Sequence, residues 1–199
     1  MSPTPTAASI SPDTHLVFAA TIDVLFRKTL ASFITPDVTE GIRAAGIDLS
    51  KPLVPAYPIR VFDDAMEVVA VRGMQHLQKS EAMRCIGELQ VESFTQTFLG
   101  KATFQFLKLL SRDRFADRLA RSFRQANNYV ETRVTKDADG SLLIWVNDVG
   151  RFPEVFQGIL KAGFEAAGHP TEVEPLGRDG IACSYRASAL RVKAQSPAQ

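Results

Sequence analysis

Histidine and cysteine are the side chains through which this chain could ligate a metal or form a covalent intermediate, and they are few: His15, His76, His169, Cys85 and Cys183. They lie in different segments with no HxxxH, HxH or CxxC spacing. Neither a zinc site nor a disulfide framework is expected, and both cysteines read as reduced core residues. No GxSxG elbow offers a serine nucleophile, and neither cysteine stands in an activating context. Gly163 with Ala167 is not a phosphate loop, and no Gly-rich loop occurs elsewhere. No catalytic residue, metal ligand or cofactor is therefore assigned.

What remains is a set of polar and aromatic groups beside apolar stretches. Tyr57, Phe94, Phe98, Arg124, Asn127, Asn128, Trp145 and Phe156 form the candidate ligand-binding set. Each has a plainer reading. The asparagines suit a helix stop and the start of a hairpin. Tyr57 suits a packed connector with its hydroxyl satisfied, and Trp145 a core residue whose indole finds a carbonyl. Arg114, Arg118 and Arg121, continued by Arg124, make a stripe interleaved with Asp113 and Asp117, the pattern of a solvated, internally paired helix face.

Bulk composition narrows the classes. The chain has 199 residues, 45% apolar and 23% charged, with a net charge of +1, which suits one ordinary globular domain and gives no long-range attraction to nucleic acid or an anionic membrane, while leaving room for a local charged patch. The N-terminus lacks a secretory signal, and no segment has the roughly 18 apolar residues of a membrane span. A cytoplasmic protein is expected. Residues 1–12 and 191–199 read as flexible tails around one domain at 13–190.

These groups must be positioned by the following elements. HLVFAA at 15–20 reads as a short strand, Ile22 to Phe33 as a helix, and TPDVTEGIRAAG as a second helix opened by Thr35 and Pro36 and stopped by Gly46. The three prolines in 48–58 make a rigid connector. The next helix, to about Leu77, turns Val61, Phe62, Ala65, Val68 and Val69 inward and places Asp63, Asp64 and Glu67 on its polar face. From Glu81 to Leu110, Phe94, Phe98, Ala102, Phe106 and Leu109 form a stripe that predicts burial; Gly100 predicts a break or a close approach. Ser111 opens a further helix. From Tyr129 to Ala187 the pattern is hairpin, helix, hairpin, with Leu142 to Val146 central in the sheet and the Glu131 strand nearer an edge. The helix beginning at Phe152 is small-sided, with Gly158, Ala162, Gly163, Ala166 and Ala167. The fold class expected is α+β: an N-terminal helical layer on a C-terminal antiparallel sheet of about four strands.

After its first dozen residues the chain resembles an uncharacterised paralogous family known mainly from myxobacteria. The residues that carry this are LVFAATIDVLF at 16–26, Pro55 to Pro58, Leu99-Gly100, Phe123-Arg124, Asn127-Asn128, Glu131-Thr132, the WVND run from Trp145, Val155 to Gly158, and Gly163, Ala167 and Gly168. More distantly, helices followed by hairpin, helix and hairpin are similar to the four-vinyl reductase-like domain, a relative of the heme nitric-oxide-binding domain. That likeness implies a four-stranded sheet, a pocket between sheet and helices, and frequent dimers, but no reaction. The cysteine-bearing GDxxC tail of four-vinyl reductase-like domains is replaced by GRDGIACSY with Cys183 alone, and the Tyr-x-Ser-x-Arg motif of the heme relatives is absent. Neither zinc nor heme is implied.

The function expected is a non-enzymatic sensory or carrier domain binding a small apolar ligand between the helices and the sheet, as 13 phenylalanines with few convergent polar groups would suit. The alternative is a homodimeric adaptor acting through protein contacts, with no nucleic acid and no membrane span. An open cavity would favour the first, a closed core the second.

Overall fold

The computed structural model describes residues 15–123 and 126–190; the tails expected at 1–12 and 191–199, and Arg124, lie outside them. The first strand, β1 (Leu16–Phe18), leads into α1 (Ala19–Val24), which continues through a π turn at Leu25–Thr29. There the Leu30 N–H reaches back five residues to the Leu25 carbonyl at 2.8 Å. Next comes α2 (Pro36–Ala44), where the Thr35 hydroxyl accepts the Val38 N–H at 3.3 Å and Pro36 occupies the first turn. The proline connector then departs from expectation: Ala56–Pro58 form a strand, β2, antiparallel to β1 with Val17 opposite Tyr57. Proline is tolerated there because a short strand at the margin need not donate from every residue.

The polar edge of α3 (Ile59–Val68) also differs from the helical pattern. Asp63 is buried at 3% exposure, while Asp64 lies exposed and Glu67 half-buried at the surface. The helical run from 81 to 110, in which Gly100 predicted a break or a close approach, is two helices, α4 (Lys79–Gln96) and α5 (Phe98–Leu107). Thr97 breaks it. Its backbone is extended, and its hydroxyl accepts the Gly100 N–H at 2.9 Å, capping α5. Gly100 is required beside this cap, since a Cβ there would lie 1.8 Å from the Phe94 carbonyl oxygen. The next helix, α6 (Arg112–Ser122), follows Ser111.

The C-terminal half matches the predicted hairpin, helix, hairpin: β3 (Thr132–Lys136), β4 (Leu142–Val146), α7 (Pro153–Ala166), β5 (Thr171–Asp179) and β6 (Ala182–Ala189). All neighbours in this sheet are antiparallel, in the order β3-β4-β6-β5, which makes β4 internal and β3 an edge. Gly140 (φ 82°) and Gly180 (φ 61°) supply the left-handed residues of the two turns. Leu142, Ile144 and Val146 face inward against α7, where Phe156, Leu160 and Phe164 are buried; Leu143 and Trp145 point outward and are half-buried. The protein is α+β, as expected.

Two apolar cores result. One gathers α1 to α4, with Phe152, which precedes α7, and Val155 of α7; the other joins the sheet to α6 and α7 and to Phe104 and Leu107 of α5. They meet along α4 and α7. A Cβ on Gly87 would lie 2.0 Å from the Val155 carbonyl oxygen and one on Gly158 2.1 Å from that of Arg84, so these helices touch backbone to backbone. The small-sided face serves close helix packing here.

Candidate functional site

The candidate residues are distributed over several parts of the fold. Tyr57, on β2, accepts the Val54 N–H on its hydroxyl at 3.2 Å. Asn127 bridges to Val17 on the other edge of β1, and its Oδ1 accepts the Val130 N–H at 2.9 Å. Asn128 Oδ1 accepts the Leu16 N–H at 2.8 Å. These three therefore flank β1 and hold chain turns. Trp145 lies on the outer sheet face under the Arg133 guanidinium, 4.8 Å from the ring centroid. Phe156 packs on Phe123 inside the second core, with centroids 5.4 Å apart.

The phenylalanine stripe reverses the expectation of burial. Phe98 is 91% exposed, Leu109 82%, Phe106 56% and Phe94 36%. Helical spacing establishes one shared face but not what covers it, and α5 buries the opposite side through Gly100, Phe104 and Leu107. At the α5–α6 corner a groove of about 250 Å³ is lined by Phe106, Leu110, Arg114, Asp117 and Arg118. The internal pairing expected of the arginine stripe is replaced for Asp113, whose carboxylate accepts from Lys136 at 2.8 Å. A second open depression, of about 320 Å³, lies on the outer sheet face beside Trp145 and Cys183.

A polar cluster that local spacing in the sequence does not assemble surrounds Tyr129, which packs against both cores. His15 Nδ1 donates to Asp148 Oδ2 at 2.6 Å, and both residues are buried. The imidazole stacks flat on Tyr129, with centroids 4.7 Å apart and planes 3° from parallel. Asp148 Oδ1 accepts the Gly150 N–H at 2.8 Å, and Asp63 Oδ2 accepts the Arg151 N–H at 2.9 Å. Burial pushes the Asp63 carboxyl up to about 6, against the pull of the Arg151 N–H and guanidinium, with nearby Asp148 adding to the rise. The Tyr129 hydroxyl is pushed well above its ordinary range by burial and then by the same two carboxylates. The outward signal for this cluster was slight: Asp148 ends the WVND run, and Asp63 follows the inward-facing Phe62.

Metal and cofactor chemistry can be tested against these residues. Among the described residues no group of three His, Cys, Asp or Glu side chains could hold a metal ion. A heme needs a slot for its macrocycle and an imidazole or thiolate free to reach iron. The space between α7 and the sheet is filled by Phe156, Leu160, Phe164, Ile144 and Tyr185. His15 is held by Asp148 and Tyr129, His169 Nε2 lies 3.0 Å from the Leu110 carbonyl oxygen, and His76 is exposed on the surface. Cys183 is a buried free thiol and Cys85 a half-buried one. These residues do not fit the group.

No curated protein matches the chain. Solved structures match its fold. A structure from work on heme distortion in the H-NOX family aligns with a TM-score of 0.63 at 10% identity, over 90% of this chain and 98% of that one. An oxygen-binding H-NOX domain related to soluble guanylate cyclases, in its oxygen complex, aligns at 0.60 and 14% identity with the same coverage. A mutant of T. Tengcongensis H-NOX aligns at 0.56 and 13%, over 86% of this chain and 97% of that one. These likenesses establish a common fold. A family model matches residues 15–188, so both cores fall within it, and the chain belongs to the family described as Protein of unknown function (DUF2378).

Proposed function

We propose that this chain is a non-enzymatic sensory or carrier domain that takes a small ligand with an apolar body at the α5–α6 face, acting in the cytoplasm. The observation that carries this reading is the exposed apolar stripe of Phe98, Phe106 and Leu109 running into the 250 Å³ groove, on a fold shared with H-NOX domains. Large apolar side chains left contiguous on a surface mark recognition sites. Phe94 and Phe98 stay in the proposed site. Tyr57, Asn127, Asn128, Trp145 and Phe156 are given structural roles.

The test is thermal shift against a panel of alkyl, aryl and medium-chain fatty-acid probes, joined to native mass spectrometry of protein purified from its source. A binder at a hundred times its Kd should stabilise the wild type by about 2.7 kcal/mol. Phe106→Ser should abolish that gain. No shift with any probe, and no bound molecule by mass, would overturn the reading. The filled interior between α7 and the sheet supports a second reading, a homodimer or adaptor that uses the same face. A dimer in light scattering that Phe98→Gln dissociates would replace the first reading with it.

A further inference from the structure

We infer that the α5–α6 face docks on an anionic lipid surface, lying in the interface without crossing it. This rests on the reading that the face is the recognition surface and names its occupant.

The charges around the stripe select that occupant. At about 100° per residue, Phe98, Ala102, Phe106 and Leu109 span about 80° of the α5 circumference when the helix is continued through its last turn. Lys101 and Lys108 lie about 60–80° to one side of Phe98, both exposed. On the other side, beyond Phe106, stand the exposed Arg114 and Arg118 of α6. None of the four cations has an ion-pair partner among the described residues. Asp117 lines the groove, and Asp113 is held by Lys136. An apolar ridge with cations along both margins is the pattern of a helix lying in a membrane interface, its apolar side sunk about 5–10 Å and its cations at the headgroups. Long lysine and arginine stems can lie along the apolar surface while their charges stay at that level. A second copy of the same face would bring these cations together, which disfavours it as occupant. Among the described residues no helix is long and apolar enough to cross a membrane, so contact by this face is interfacial.

The experiment is co-sedimentation of the full chain with phosphatidylcholine vesicles with and without phosphatidylglycerol, at low and high salt. Binding is expected on the phosphatidylglycerol vesicles and should weaken as salt rises. Phe98→Gln with Leu109→Gln should lower partitioning roughly tenfold or more. Lys101→Gln and Lys108→Gln should each lower it about fivefold. All four side chains are exposed, so the fold should survive, which circular dichroism checks. No binding to phosphatidylglycerol vesicles at low salt overturns the inference, as does binding that the glutamine variants leave unchanged. So does a wild-type dimer, made monomeric by Phe98→Gln with Leu109→Gln, that ignores both vesicles. Soluble fatty acid bound without any vesicle binding would overturn lipid docking and leave the ligand reading standing.

Discussion

Asp63 shows how one buried carboxylate sets a pH dependence. Its folded value of about 6 lies above the ordinary 3.8, so between these values the folded protein holds a proton that the unfolded chain has lost. This group therefore favours folding most below about pH 4, and that contribution declines as pH rises through 6. The gap between the two values corresponds to about 3 kcal/mol at neutral pH. Asp63→Asn keeps an oxygen for the Arg151 N–H and removes the charge. It should raise stability by about 1–3 kcal/mol at pH 8 and leave it nearly unchanged at pH 4, as read by denaturant melts across that range. Removing Asp148 has the opposite effect on stability, because its carboxylate accepts from both the His15 imidazole and the Gly150 N–H. Asp148→Ala strands both groups in a buried place, and a loss of about 2–4 kcal/mol in the same melts is expected.

At the scale of elements, contact between α4 and α7 unites the two cores, and it depends on Gly87 and Gly158. Each would place a Cβ about 2 Å from a backbone carbonyl oxygen of the opposite helix, 2.0 Å from Val155 and 2.1 Å from Arg84. Backbone cannot rotate away as a side chain can, so the helices would have to separate. Gly87→Ala or Gly158→Ala should cost about 3 kcal/mol, seen as a lowered Tm. Gly140 contrasts with them: nothing lies within 4 Å of its Cβ position, and its φ of 82° alone resists substitution. Gly140→Ala should cost about 1 kcal/mol through strain in the turn.

At the scale of the whole molecule, the fold keeps a filled interior and turns an apolar stripe outward. Phe98 and Leu109 contribute little to stability, since folding leaves them 91% and 82% exposed. Phe98→Gln with Leu109→Gln should leave the unfolding free energy within about 0.5 kcal/mol of the wild type. The same pair should remove recognition at this face. Calorimetry and the binding assays, run on one preparation, separate the two effects. The likeness to H-NOX domains is a likeness of architecture at 10–14% identity, and the residues between α7 and the sheet fill the space with side chains.

Most of the order of elements was determined by the sequence itself, because helix and strand periods, the Thr35-Pro36 helix start and the turn glycines Gly140 and Gly180 act through local backbone chemistry. The unbroken apolar run of Leu142 to Val146 also identified β4 as internal, and the alternation from Val130 to Val134 identified β3 as nearer an edge. Tertiary structure alone decided which side of an amphipathic helix is covered, since one apolar period fits a buried stripe and an exposed one equally. It placed Asp63 inside, drew Ala56 to Pro58 into a pairing with β1, and joined His15 to Asp148 across 133 residues of chain. Such contacts are set by where distant segments meet, which local spacing does not encode. The same reason moved the proposed site from the α7–sheet interior to the face of α5.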